Sequence, residues 1–191
     1  MDIRALILKR LEPPYYDWEK MNEIVKYSPS MYNHEGICVV EDWTSCSQIG
    51  DDFNGEFLTV EEYMRVENPF VEVFKEVLVN ASCRYITLFS FDPIKTIRTP
   101  SHFCRELRVS TKKILAELGT VKSGARYSIE KAALLFRLSL RNILDCFFIN
   151  KDKRIQFDVG YDYYVHLYAD LDESVLRSIV SKHGLFLNPR S

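Results

Sequence analysis

The chain lacks the short motifs that identify most enzymes and cofactor-binding proteins. Its 191 residues contain no G-x-S-x-G, no P-loop, no G-x-G-x-x-G and no H-E-x-x-H. The four histidines, His34, His102, His166 and His183, form no recognised metal-ligand pattern with one another or with a cysteine. We therefore expect no catalytic residue, no metal site and no cofactor.

Long apolar runs are also absent, and glycine and proline are scarce at seven residues each. No run approaches the roughly 18 apolar residues that cross a bilayer. The apolar segment at 3–8 is too short, and its flanking charges have the wrong order, for a signal peptide. The five cysteines are odd in number and include no C-x-x-C pair, which favours free thiols in a reducing compartment. We expect a cytoplasmic protein with no membrane partner.

Apolar and aromatic side chains, in contrast, are abundant. Apolar residues make up 47% of the chain, with 12 phenylalanines and 11 tyrosines, while the formal net charge is only −2. A chain of this composition can bury a substantial core and does not have the character of a disordered protein. We predict a single domain that spans residues 1–191.

Charge is distributed unevenly along the chain. Residues 35–76 carry a net charge of −9, whereas residues 84–154 carry a net charge of +9. Two explanations are open at this point. The two segments can face one another in the folded molecule, or the acidic segment can form a surface that recognises a basic partner.

Apolar spacing and turn residues predict an α+β fold, with helices packed on a small, partly antiparallel sheet. Thr59-x-x-Glu62 and Asn68-Pro69 both indicate helix starts, so residues 60–80 should form two abutting helices or one kinked helix. The other predicted elements are a strand or helix at 3–11, a helix at 17–27, a strand at 37–40, a polar loop at 44–57, a strand at 85–89, a helix at 110–118, a helix from Ile129 to Phe147, hairpin strands at 155–159 and 163–168, a helix capped by Asp170 or Asp172 and ended by Gly184, and a strand at 185–187.

Two segments are candidates for contact with a protein partner. Residues 41–56 combine acidic side chains with a polar loop, and residues 158–164 combine acidic side chains and tyrosines with a turn. Tyrosine favours interfaces because it offers a large contact area, few rotamers and a polar tip. Adjacent acids could also serve a metal-dependent hydrolase, but solubility and helix capping already explain them. The candidate partner-binding residues are Glu41, Asp42, Asp51, Asp52, Asp158, Tyr161, Asp162, Tyr163 and Tyr164.

The basic segment 84–154 supports an alternative, a nucleic-acid-binding or nucleic-acid-processing protein. Its cations could bind phosphate groups, and His102 could take part in cleavage. The interspersed apolar residues do not form an RNA-binding signature, so a solvated helix and loop explain the same pattern. The clustered residues are Arg98, His102, Arg105, Arg108, Lys112 and Lys113.

Two stretches resemble bacterial immunity proteins of polymorphic-toxin and contact-dependent inhibition systems. The first contains Trp43-Thr44-Ser45, Ile49-Gly50, Phe53, Gly55, Leu58-Thr59, Glu62-Tyr63 and Glu67. The second contains Phe157 and Gly160-Tyr161-Asp162-Tyr163-Tyr164, followed by Gly184-Leu185-Phe186. The resemblance implies a small, non-enzymatic cytoplasmic protein that binds a cognate toxin domain and occludes its active site. It transfers no residue role, and the basic segment departs from a uniformly acidic inhibitor. On this basis, we expect residues 41–56 and 158–164 to contact the toxin.

Overall fold

A computed structural model describes residues 21–35, 38–93, 103–160 and 163–189 of the chain. Four α-helices lie in this part of the chain: α1 (Val60–Asn80), α2 (Arg105–Leu118), α3 (Ile129–Leu140) and α4 (Glu173–Lys182). Nine strands accompany them: β1 (Asn22–Val25), β2 (Asp52–Phe53), β3 (Glu56–Phe57), β4 (Ile86–Pro93), β5 (Arg126–Tyr127), β6 (Leu144–Asn150), β7 (Ile155–Val159), β8 (Val165–Ala169) and β9 (Phe186–Pro189). The predicted 3–11 element lies outside the described residues.

Seven of these strands form one antiparallel sheet, in the order β5-β4-β6-β7-β8-β1-β9. Strands β2 and β3 pair only with each other, as a small hairpin. The predicted α+β fold is confirmed, and so is the β7–β8 hairpin. No helix in the described part of the chain is long and apolar enough to span a membrane.

The core lies where α1 and α3 pack against the middle of the sheet. Phe74 of α1 stacks on Phe136 of α3 at 4.5 Å between ring centroids. The same ring lies 5.3 Å from Phe148 of β6 and 4.7 Å from Phe157 of β7. All four rings are buried. Aromatic rings contribute strongly to core stability because each buries a large apolar area.

A buried ion-pair cluster joins the acidic segment to the basic segment beside this core. Glu67 of α1 accepts hydrogen bonds from Arg141 Nε at 2.6 Å and Arg141 Nη2 at 2.8 Å, and another from Arg137 of α3. Tyr63 Oη donates to the same carboxylate at 3.0 Å. The two segments therefore face one another at this point, as the first explanation of the charge pattern predicts.

Several local predictions were wrong, and backbone geometry gives the reasons. Residues 22–25 form strand β1 and no helix, because they fill the gap between β8 and β9. Residues 39 and 40 are exposed and belong to no strand, although Cys38 bridges to Tyr32. Of the two alternatives for residues 60–80, the structure has one helix, α1, which continues through Pro69, and not two abutting helices. Helix α3 ends at Leu140 and β6 replaces its predicted last turns.

Candidate functional site: an apolar cleft with an acidic rim

A cleft of about 450 Å³ opens where the β2–β3 hairpin meets the first turns of α1, the segment after β1 and the start of β9. We call this feature the acidic cleft; it is lined by residues of 26–31, 40–43, 53–58, 62–66 and Phe186. The acidic cleft contains part of the predicted contact region 41–56. It also contains residues that the sequence patterns did not single out.

The hairpin that forms one wall folds because of its turn residues. Asn54 and Gly55 adopt φ values of 58° and 89°, the left-handed region that a type I′ turn requires and that Asn and Gly adopt at least cost. Asp52 Oδ1 accepts a hydrogen bond from the Gly55 N–H at 3.0 Å. The hairpin thereby carries Phe57 outward, where 69% of this residue is exposed.

Exposed apolar side chains concentrate at the acidic cleft. Phe57, Val40 and Met31 line it, with 69%, 41% and 40% of each residue exposed, and Val39 next to Val40 is 66% exposed. These are four of the seven large apolar residues that are exposed in the described part of the chain. Soluble monomers rarely cluster such side chains without a binding role.

The floor of the cleft is a lysine enclosed by aromatic rings. Lys26 Nζ lies 3.8 Å from the Trp43 ring centroid and 4.7 Å from that of Tyr27. It donates to Asp42 Oδ2 at 3.0 Å, and its side chain is only 6% exposed. Burial, and then the Asp42 carboxylate, raise the pKa of Tyr27 well above its ordinary value. The charge of Asp42 is therefore matched within the molecule.

The rim of the cleft carries acids. Glu41 and Glu56 are exposed and line the cleft, and no cation forms an ion pair with either of them among the described residues. Glu62 pairs with Arg65 at 2.8 Å. Asp51 and Asp52 are exposed on the adjoining hairpin. Four of the predicted contact residues, Glu41, Asp42, Asp51 and Asp52, thus lie in or beside the cleft.

The second predicted contact region, 158–164, is only partly a surface. Tyr161 and Asp162 lie outside the described residues. The expectation that Tyr163 contacts a partner is corrected by its burial: only 4% of this residue is exposed, and its backbone φ is +60°. The centroid of its ring lies 5.6 Å from that of Trp43, edge-on, and 5.5 Å from that of Phe70. The left-handed backbone turns this side chain into the core, so it cannot contact a partner in this conformation. Tyr164 is half-buried, and its hydroxyl donates to that of Tyr32 at 3.5 Å.

Asp158 belongs to a row of polar side chains across the sheet. His166 lies on the opposite face of β8 from the buried Val165 and Leu167, as strand alternation requires. Its Nδ1 is 3.6 Å from Asp158 Oδ2, and its Nε2 is 3.5 Å from Glu23 Oε1. The register pairs Asp158, His166 and Glu23 directly across β7, β8 and β1. This arrangement links three strands and is separate from the acidic cleft.

Several cations of the basic segment are engaged within the molecule. Arg137 and Arg141 contact Glu67, Arg154 pairs with Asp170 at 3.3 Å, and Arg108 donates to the Phe103 carbonyl at 2.9 Å. Of the cations clustered in the sequence, three are exposed on α2, where Glu106 and Glu117 are exposed beside them: Arg105, Lys112 and Lys113. Arg98 and His102 lie outside the described residues. Among the residues that the structure describes, no three His, Cys, Asp or Glu side chains are grouped to hold a metal ion.

The apolar half of the site was missed at the sequence level. Val39 and Val40 fitted a buried strand, and residues 44–57 were interpreted as a polar loop. The dipeptide Asn54-Gly55 between Phe53 and Phe57 is a strong hairpin signal that could have located one wall. No sequence signal places Lys26 beneath Trp43.

Comparisons with protein-family models, curated proteins and solved structures found no match to this chain. The resemblance to immunity proteins therefore depends on the quoted residues alone.

Proposed function

We propose that this chain is a non-enzymatic, protein-binding inhibitor: an immunity protein that neutralises a cognate bacterial toxin domain. One observation carries the proposal. Four of the seven large apolar residues that are exposed in the described part of the chain lie at one cleft: Phe57, Val40 and Met31 line its opening, and Val39 adjoins Val40.

This arrangement has the anatomy of a protein interface. A contact surface needs an apolar centre that excludes water and a polar rim that fixes the orientation of the partner. Large side chains at that centre contribute most of the binding free energy. The acidic cleft offers Phe57 and Met31 for the centre, and Glu41 and Glu56 for the rim.

The residues behind the immunity-protein resemblance add support. Five of them, Trp43, Phe53, Leu58, Glu62 and Phe186, line the acidic cleft. Part of each stretch that carries the resemblance thus lies at the proposed contact surface. A protein that acts by occluding a toxin needs no catalytic group of its own, only a complementary surface.

The proposal predicts that a neighbouring gene encodes a toxin domain, and the test is growth rescue by co-expression with that domain. We expect the unchanged chain to restore growth and to form a stoichiometric complex with the purified toxin. We expect the double variant Val40→Ser/Phe57→Ser to raise the Kd of that complex at least tenfold, because both side chains are exposed in the free chain and would be buried by the partner.

The matched control is Val79→Ser/Val109→Ser, which removes two apolar side chains that are exposed outside the cleft. This variant should bind like the unchanged chain. If the toxin domain still arrests growth when the unchanged chain is co-expressed, the inhibitor proposal is refuted. An unaltered Kd for the cleft variant removes the cleft as the contact surface. Nuclease activity or retention of nucleic acid by the purified chain would favour the alternative that uses residues 84–154.

A further inference from the structure

The charges in the acidic cleft separate into those that are matched within the molecule and those that are not. Lys26 matches Asp42 at 3.0 Å, and Arg65 matches Glu62 at 2.8 Å. Glu41 and Glu56 have no ion-pair partner among the described residues. The cleft therefore has a neutral floor and a negative rim.

From this distribution we infer that the acidic cleft receives a cationic segment of a partner protein. A large apolar side chain of that segment enters the opening beside Phe57 and Val40, and flanking Lys or Arg side chains meet Glu41 and Glu56. The inference rests on the proposed function in taking the partner to be a protein, and it specifies the chemistry of the segment that binds.

The cleft has the size and lining that such an apolar anchor needs. Its volume of about 450 Å³ falls in the range of about 300–1,000 Å³ that accommodates ligand-sized groups. Phe53, Val66 and Phe186 are half-buried along its walls, and Leu58 is buried beneath them. An apolar side chain that enters would displace water from these surfaces, which favours binding.

The rim decides the charge of the occupant. Asp51 and Asp52 extend the negative surface along the hairpin, beyond Glu41 and Glu56. Nucleic acids and anionic lipid surfaces would be repelled by these carboxylates, because phosphate groups carry the same sign of charge. A Lys- or Arg-bearing protein segment is attracted, and the attraction also accelerates its association.

Pairing of a partner strand with β9 does not explain this recognition. Strand β9 is an edge of the sheet beside the cleft, but its outer side is blocked in two ways. Arg177 Nη1 of α4 donates to the Leu187 carbonyl at 3.4 Å. Pro189, at the end of β9, has no N–H to offer a further strand.

The experiment is a selection of 12-residue peptides, displayed on phage, against the immobilised full-length chain. We expect enriched sequences that combine one large apolar residue with two or more Lys or Arg residues. Synthetic versions should bind about tenfold more weakly to Glu41→Lys/Glu56→Lys, and tighter to the unchanged chain at 50 mM than at 500 mM salt. Phe57→Ser should weaken binding by a similar factor.

The control variant is Glu106→Lys/Glu117→Lys on α2, which changes the net charge equally at two exposed acids outside the cleft. It should bind the peptides like the unchanged chain. Enrichment of acidic or uncharged peptides overturns the inference. No enrichment, or equal weakening by both charge variants, does the same. Peptide selection and growth rescue fail independently, so a selected cationic peptide without rescue would leave the cleft assignment standing and refute the toxin proposal alone.

Discussion

Glu67 joins α1 to α3 and the end of that helix through a buried ion-pair cluster. Glu67 and Arg141 are 0% and 1% exposed, and the carboxylate receives hydrogen bonds from Arg141, Arg137 and Tyr63. Arg141 Nη1 also donates to Thr111 Oγ1 of α2 at 2.9 Å, so three helices meet at this guanidinium. A buried charge is tolerated only when its partners are present, because desolvation of an unpaired ion is costly.

We expect Glu67→Gln to lower the free energy of unfolding by about 3–5 kcal/mol, because it leaves the Arg141 guanidinium buried without a counter-ion. The double variant Glu67→Met/Arg141→Met should recover part of this loss, since it removes both charges. Urea unfolding at pH 7 measures both. Glu173→Gln, in the exposed pair with Arg177 at 2.6 Å, is the control and should change the stability by about 1 kcal/mol or less. Equal effects of the two Glu→Gln changes would contradict the assignment.

Individual residues were the hardest features to predict. Arg137 and Arg141 fall within the predicted helix from Ile129 to Phe147, but no local pattern indicates that Glu67, about seventy positions earlier, approaches them. Tyr163 shows the same limit. Its burial depends on a left-handed φ of 60° and on Trp43, neither of which follows from alternation along a strand.

At the scale of elements, the end of α3 explains the longest wrong prediction. The apolar period runs from Ile129 into β6, so it could not by itself show where the helix ends. Asn142 adopts φ +54°, and the N–H groups of Asn142 and Ile143 donate to the carbonyls of Ser139 and Leu138. This is a Schellman ending, in which Asn replaces the usual glycine.

We expect Asn142→Ala to destabilise the protein by about 1 kcal/mol relative to Asn142→Gly, because alanine is strained at positive φ. Thermal unfolding monitored by circular dichroism measures the difference. The control is Asn80→Ala, which makes the same chemical change at the last residue of α1. It should not lower the stability by a comparable amount, because alanine is favoured in a helix. An alanine at 142 as stable as glycine would contradict this reading of the turn.

Other elements were predictable because one local signal dominated each of them. Thr59 Oγ1 accepts from the Glu62 N–H at 3.1 Å, and Asp172 Oδ1 accepts from the Ser174 N–H at 2.8 Å, so both helix starts follow from capping residues. Asn68-Pro69 was a misleading start signal. The buried stripe of α1 runs through it, with Glu67 before and Phe70 after, and packing kept the helix continuous.

At the scale of the whole molecule, burial of thiols and phenols makes the fold sensitive to alkali. Burial raises the pKa of Cys46 and of Cys146 to about 12, from an ordinary value of 9.0. Burial likewise raises the pKa of Tyr63 and Tyr163 well above 10.0. The folded chain keeps protons that the unfolded chain releases, so these groups contribute full stability below about pH 9, and that contribution falls as the pH rises.

We expect the free energy of unfolding to fall between pH 9 and 11, by up to about 1.4 kcal/mol per pH unit for each such group. Cys146→Ala should reduce this slope by the contribution of one group, about 1.4 kcal/mol per pH unit. This reduction does not depend on how the substitution changes the stability at pH 7. Urea unfolding with a reducing agent at several pH values measures the slope. The half-buried Cys104→Ala is the control. A slope that Cys146→Ala leaves unchanged would refute the assignment.

The α+β class was predictable as a whole because many weak patterns agreed on it. The acidic cleft was not, because its walls come from five stretches between residues 26 and 186 that only the strand order brings together. The charge of the acidic segment indicated a possible partner-binding surface. The apolar opening within that surface depends on tertiary contacts, which the sequence pattern does not show.

The stretch between Trp43 and Leu58 is held at both ends by buried side chains, with the buried Cys46 between them, while Glu56 and Phe57 project from it. If the proposed function holds, fold and recognition depend on different positions of the same stretch, residues 44–57. Substitutions at the projecting positions can redirect the protein to a new partner at little cost in stability. On the proposed function, a lineage that meets changing toxins would in this way exchange its specificity while the buried positions stay constant.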